Sequence, residues 1–208
     1  MNSAPALNHW RHGFDDPAVG SHQTFRAILA AMEHPGQLVT IRENPHAPEV
    51  FNTASAATCL MLLDYETTVW TDIDWRSPAI SWLQLCCGCS VVTESCMANF
   101  VIITKPANMP ALDCFRIDRN EYPERPTTMV VQVDDILPAI YEHYSNSFVD
   151  NTARLELKGV TENFWYQWQQ LSSLYPLGLD IFFTCDDVLT ALPKRIPTSR
   201  PRGRQHLL

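Results

Sequence analysis

The chain has 208 residues, 46% of them hydrophobic, which is enough for one packed domain with a sizeable core, and a formal net charge of −8. Five of its fifteen basic residues, Lys194, Arg195, Arg200, Arg202 and Arg204, crowd one end, so residues 1–193 hold ten basic against 23 acidic groups. An acidic body of this kind excludes a protein that wraps nucleic acid. There is no apolar run of about 18 residues to cross a bilayer, and Asn8-His9-Trp10-Arg11 stands where a signal peptide needs a hydrophobic stretch, so a cytoplasmic protein with reduced thiols is expected.

The elements alternate between helix and strand. Phe25, Ile28, Leu29 and Met32 fall at i, i+3, i+4 and i+7 and predict a helix with that apolar face, capped by Ser21. Pro35-Gly36 ends it and turns the chain into a strand, Leu38 to Ile41. An alanine-rich helix follows from about Thr53 to Leu63, then a short strand through Val69 and Trp70. Ser77-Pro78 reads as N-cap and N1 of a helix through Leu85, because proline at N1 loses no hydrogen bond. β-Branched and aromatic runs predict strands at Ser90 to Thr93, Phe100 to Thr104 and Thr128 to Val133.

Asp134 to Val160 carries no readable period. Thr161 caps a predicted helix through Leu174 whose apolar face is Phe164, Trp165, Trp168 and Leu171. A closing hairpin pairs Leu179 to Thr184 with Val188 to Leu192, across a Cys185-Asp186-Asp187 turn that lacks the glycine favoured in tight turns. The sum is a single α/β domain over residues 1–195, followed by a basic tail at 196–208. That tail is either a solvated, disordered end or an arm for an anionic partner.

Stand-alone chemistry is scarce. No G-x-x-x-x-G-K-[ST], G-x-G-x-x-G, H-E-x-x-H or G-x-S-x-G is present, and seven glycines leave no loop rich enough to cradle a triphosphate. Cys86, Cys87 and Cys89, followed by Cys96, include one C-x-x-C spacing, but a closed metal site needs a second pair, and Cys59, Cys114 and Cys185 are scattered. Packing as small hydrophobes is the reading favoured over metal or redox chemistry. His9, His12, His22 and His34 lie in a terminus or at helix ends, where the ring satisfies backbone groups. Asp134-Asp135 and Asp186-Asp187 read as turn residues, since neighbours in sequence rarely converge on one substrate. The expected catalytic, cofactor-binding and metal-binding residues are therefore none.

Several separated segments resemble one family, the H subunit of the bacterial carbon-phosphorus lyase system (PhnH). Phe25-Arg26, Leu29, Ala31-Met32 and Pro35-Gly36 match its F-R-x-x-L-x-A-M-x-x-P-G helix. Leu62, Asp64, Thr67 and Val69-Trp70 match L-x-D-x-x-T-x-V-W, and Pro176-Leu177-Gly178, Asp180 and Leu192-Pro193 match its closing strands. The chain departs from the family at Leu83-Gln84-Leu85-Cys86-Cys87-Gly88, where L-x-F-H-T-G is usual, at Leu157 in a G-x-G-I turn, and at Lys194-Arg195 in place of arginine-threonine.

The resemblance implies a reduced pyridoxal-phosphate-dependent transferase fold without the cofactor. The residues agree, since such a cofactor needs a lysine and Lys105, Lys158 and Lys194 all sit beside loops or the tail. It further implies a non-autonomous subunit, a homodimer when isolated, that works with the G, I, J and L subunits. Those with G, I and L displace adenine from ATP with an alkylphosphonate to give α-D-ribose 1-alkylphosphonate 5-triphosphate. Base displacement falls to the I subunit, and radical cleavage of the C–P bond to the iron-sulfur J subunit. Arg26, Gly36, Gly178 and Asp180 are expected to be structurally demanding family positions. The alternatives are a cofactor-dependent transferase, which predicts a chromophore on a lysine, and a cysteine-based metal or redox protein, which predicts bound zinc or iron.

Overall fold

The computed structural model describes residues 13–115, 127–138, 155–172 and 178–194. Its first helix, α1, runs over Pro17–Glu33, starting five residues earlier than the Ser21 cap implies. The cap is Asp16, whose carboxylate accepts the N–H groups of Ala18 and Val19, with proline at N1. Its buried face also differs from expectation. Gly20, Thr24, Ile28 and Ala31 point inward, while Phe25 and Leu29 stay exposed. Small residues win that face because the helix lies close against its neighbours: a Cβ on Gly20 would stand 2.6 Å from the Phe14 ring.

After the strand β1 (Val39–Thr40), Asn52 caps α2 (Thr53–Leu62) by accepting the Ser55 N–H. The strand β2 (Thr68–Thr71) follows, and then α3 (Pro78–Cys86), capped by Ser77 as its Ser-Pro pair predicts. Strands β3 (Ser90–Val91), β4 (Phe100–Ile103) and β5 (Thr128–Gln132) occupy the expected places. The unreadable stretch contains two further strands, β6 (Asp135–Pro138) and β7 (Leu155–Lys158), paired antiparallel as a separate ribbon. Helix α4 (Glu162–Ser172) buries Phe164, Trp168 and Leu171 and leaves Trp165 at 36% exposure. The hairpin of β8 (Asp180–Cys185) and β9 (Val188–Leu192) closes the chain through a two-residue turn. Asp186 there takes φ of 49°, a left-handed conformation that aspartate tolerates better than most residues, which replaces the missing glycine.

Seven strands form one sheet in the order β1-β9-β8-β5-β4-β2-β3. The five from β8 to β3 are parallel, and β9 is antiparallel to both of its neighbours. Side-chain alternation splits the core in two. Phe100, Ile102, Val130, Phe182, Leu189 and Ala191 face a cluster with α1, α2 and α3. Val101, Ile103, Met129, Val131, Ile181 and Phe183 face a second cluster with α4 and the β6–β7 ribbon. The architecture is thus α/β, one sheet covered on both faces.

Gly36 and Gly178 have φ of 83° and 146°, which supports their reading as demanding positions; a Cβ on Gly178 would press on Lys194 at 2.9 Å. Asp180 accepts the Lys194 N–H at 2.9 Å and so locks the end of the hairpin to the start of β8. Arg26 is exposed on α1 and holds no part of the core. The tail, His9, His12 and Pro176 lie outside the described residues. Asp180→Ala is expected to lower unfolding free energy by about 1–2 kcal/mol, read from urea denaturation, because it strands the Lys194 N–H.

Candidate functional site

In an open parallel sheet, ligands bind beyond the carboxyl ends of the strands, where the connections begin to leave on opposite faces. Here that switch lies between β2 and β4. The connection after β2, through α3, joins the first core cluster, while that after β4 brings Leu112 and Phe115 into the second. Three donors at this point, among the described residues, are held by one side chain. Asp72, just past β2, accepts the Thr104 N–H at 2.8 Å, the Thr104 hydroxyl at 3.0 Å and the Lys105 N–H at 3.0 Å.

The neighbouring position is sealed in the same way. Gln132 ends β5, and its carboxamide oxygen accepts the Asn52 N–H at 2.6 Å and the Ser55 hydroxyl, while its NH2 donates to the Val50 carbonyl at 2.8 Å. Asn52 in turn reaches Thr184 at the end of β8. The positive end of α2 is therefore spent on the chain's own side chains rather than held open for a phosphate.

Asp186 and Asp187 form the β8–β9 turn, as read from the sequence, and beside this seam they act with Asp134 and Asp135 on one thiol. Burial pushes the Cys185 thiol up from its ordinary value, and the carboxylates of Asp186, Asp135, Asp134 and Asp187 add to it. Asp135 pairs with Lys158 at 3.0 Å, which raises the lysine's pKa chiefly through that hydrogen bond. His46, which no sequence motif marks, bonds Asp15 at 2.9 Å across an exposed surface, and its carbonyl accepts the Trp82 indole N–H. Lys105 and Lys158 are exposed and Lys194 is held by its backbone, so none of the three stands in an enclosed site of the kind a Schiff base requires.

At the amino ends of β2, β4 and β5 lies a shallow, open depression of about 390 Å³ with Asp64, Glu66 and Asn99 on its walls. Asp64 is engaged in an Asx turn, accepting from Glu66 N–H and the Thr67 hydroxyl, and Asn99 bonds the Thr68 N–H.

The cysteine segment packs as small hydrophobes. Cys87 caps α3 through its N–H to Leu83, Gly88 turns at φ of 76°, and Cys89 donates to the Leu83 carbonyl at 3.4 Å. Cys59, Cys87 and Cys89 are buried together in the first core cluster. Burial pushes all three thiols up, Cys89 to about 11 and the other two further, away from reactive thiolate. Among the described residues, no three His, Cys, Asp or Glu side chains group as a metal site, and no helix is long and apolar enough to cross a membrane.

The fold defines an open-sheet α/β protein in which Asp72 and Gln132, at the carboxyl ends of β2 and β5, are hydrogen-bonded within the chain. Residues 12–198 match the family of bacterial phosphonate metabolism protein (PhnH), and the chain belongs to it. A curated relative from Rhizobium meliloti (strain 1021), alpha-D-ribose 1-methylphosphonate 5-triphosphate synthase subunit PhnH, is 26% identical over 193 residues, covering 90% of this chain and 94% of the relative.

An aromatic disulfide reagent at pH 7.5 is expected to label the exposed Cys96 and Cys114 quickly and Cys59, Cys87 and Cys89 only after unfolding. The raised thiols also set an alkaline limit. Their stabilising contribution is full below the unfolded value of 9.0, where both states keep the proton. It falls as pH rises from about 9 to 11, because the unfolded thiol ionises first. Urea midpoints that drop over this window in the native chain but less in Cys89→Ala would bear this out.

Proposed function

We propose that this chain is a non-autonomous subunit of the phosphonate carbon-phosphorus lyase system. In that role it helps a complex with the G, I and L subunits make α-D-ribose 1-alkylphosphonate 5-triphosphate from ATP and an alkylphosphonate, releasing adenine, ahead of C–P cleavage with the J subunit. The observation that carries the reading is the sealed strand edge. Asp72 and Gln132 take up the donors that a nucleotide phosphate would need, so this sheet serves assembly rather than substrate binding. The named activity of the Rhizobium meliloti relative supports the same system. Working in the cytoplasm and pairing with itself when isolated complete the reading, and the mixed, mostly parallel sheet is in keeping with a transferase fold that has shed its cofactor.

Co-expression with the other subunits, a tag on one of them and native mass spectrometry test this directly. Stoichiometric capture is expected, with triphosphate synthesis that requires this chain and survives Asp72→Ala at more than about half of the native rate per assembled complex. A chain that stays apart, or that turns over ATP alone, sinks the proposal.

A further inference from the structure

Of the seven cysteines, Cys96 and Cys114 alone are exposed. Each lies in a short 3-10 turn, Ser95–Met97 between β3 and β4 and Leu112–Cys114 after β4. Both turns belong to the second face of the sheet, where Ala98, Leu112 and Phe115 enter the core cluster. The fold brings them together. The Ser95 hydroxyl donates to the Cys114 carbonyl at 3.0 Å, so the direct neighbour of Cys96 touches the Cys114 backbone. Trp70 of β2 fastens the same two segments. Its indole N–H donates to the Thr93 carbonyl at 3.2 Å, and its ring meets Phe115 edge-on with centroids 5.7 Å apart.

The Ser95 contact and standard bond lengths limit how far apart the two cysteines can be. The Cα of Ser95 lies within ~8 Å of the Cα of Cys114, and that of Cys96, one residue on, within ~12 Å. A disulfide spans ~4.4–6.8 Å between Cα atoms, so closing one draws the turns together by no more than ~5 Å. Each turn is three residues long and belongs to no strand, so this movement leaves the ladders of the sheet intact. The other thiols are poorly placed for exchange. Cys59, Cys87 and Cys89 are buried, and Cys86 and Cys185 are partly covered.

We propose that Cys96 and Cys114 form a modification site, a dithiol that reacts with a low-molecular-weight disulfide and closes into an intramolecular disulfide. The thiolate of one cysteine attacks a sulfur of the small disulfide, whose S–S bond breaks as a mixed disulfide forms and one small thiol leaves. The thiolate of the other cysteine then attacks the protein sulfur of the mixed disulfide and expels the second small thiol. The protein gives up two protons and two electrons, and the small disulfide is reduced to two thiols. The new bond ties the β3–β4 connection to the one that follows β4, beside the Trp70 ring. Excess small thiol runs the same steps backwards, so the clasp follows the thiol–disulfide balance around the chain.

The test uses the reduced full-length chain and oxidised glutathione at about pH 8, followed by denaturation, alkylation of free thiols with N-ethylmaleimide and intact mass spectrometry. Five alkylated thiols of the seven are expected, with no glutathione attached and no covalent link between chains. Cys96→Ser and Cys114→Ser should each hold one glutathione instead, because the second attack has no thiol to make it. All seven thiols alkylated after oxidation overturns the site. Glutathione retained on both Cys96 and Cys114 overturns the pairing, and so does a disulfide between two chains. Closure without glutathione in either serine variant assigns the bond to other cysteines and overturns the proposal as well.

Discussion

The carboxylate of Asp72 joins the ends of β2 and β4 at the place where the sheet's two directions of winding part. From there α3 packs into one core cluster, while Leu112 and Phe115, after β4, pack into the other. Three donors on one carboxylate make that join. Charge-assisted bonds of this kind are about twice as strong as neutral ones. Gln132 does the equivalent work one position along, drawing α2 against the ends of β5 and β8. Together they turn the edge at which such sheets usually act into a structural seam.

Much of the element order was legible because local signals were strong. Ser77-Pro78 announced α3, and β-branched runs marked β4 and β5 within a residue or two. Asp16-Pro17 carries the same cap-and-proline signal as Ser77-Pro78, yet the larger side chains of Phe25 and Leu29 pulled the reading toward a later start and the wrong face. Hydrophobicity ranks side chains one at a time. It does not register that a helix pressed against Phe14 needs glycine, threonine and alanine at the contact. The β6–β7 ribbon escaped notice because Asp135–Pro138 is too short to show a period, and its pairing with Leu155–Lys158 is long-range.

The seam was not legible at all. Asp72 and Gln132 are ordinary polar residues in sequence, and their roles depend on strand order, which a single sequence does not state. The cysteines show the converse case. A C-x-x-C spacing drew the eye, but Cys87 and Cys89 gain their meaning from burial beside Cys59, thirty residues away, in an environment that suppresses ionisation. Family membership adds what geometry alone lacks, the metabolic setting in which such a subunit works.

The placement of β1 has a bearing on how the protein is made. Val39 and Thr40 pair only with Leu189 and Val188, so the first strand waits for the last to be translated. At ~5–20 residues per second that delay is roughly 7–30 s, during which α1 has emerged from the ribosome without Leu189 and Ala191, which share the core cluster of Ile28 and Ala31. Nascent chains of this topology are therefore exposed to aggregation and to capture by chaperones for most of their synthesis, and shortening the C-terminal hairpin would remove part of the surface on which α1 packs.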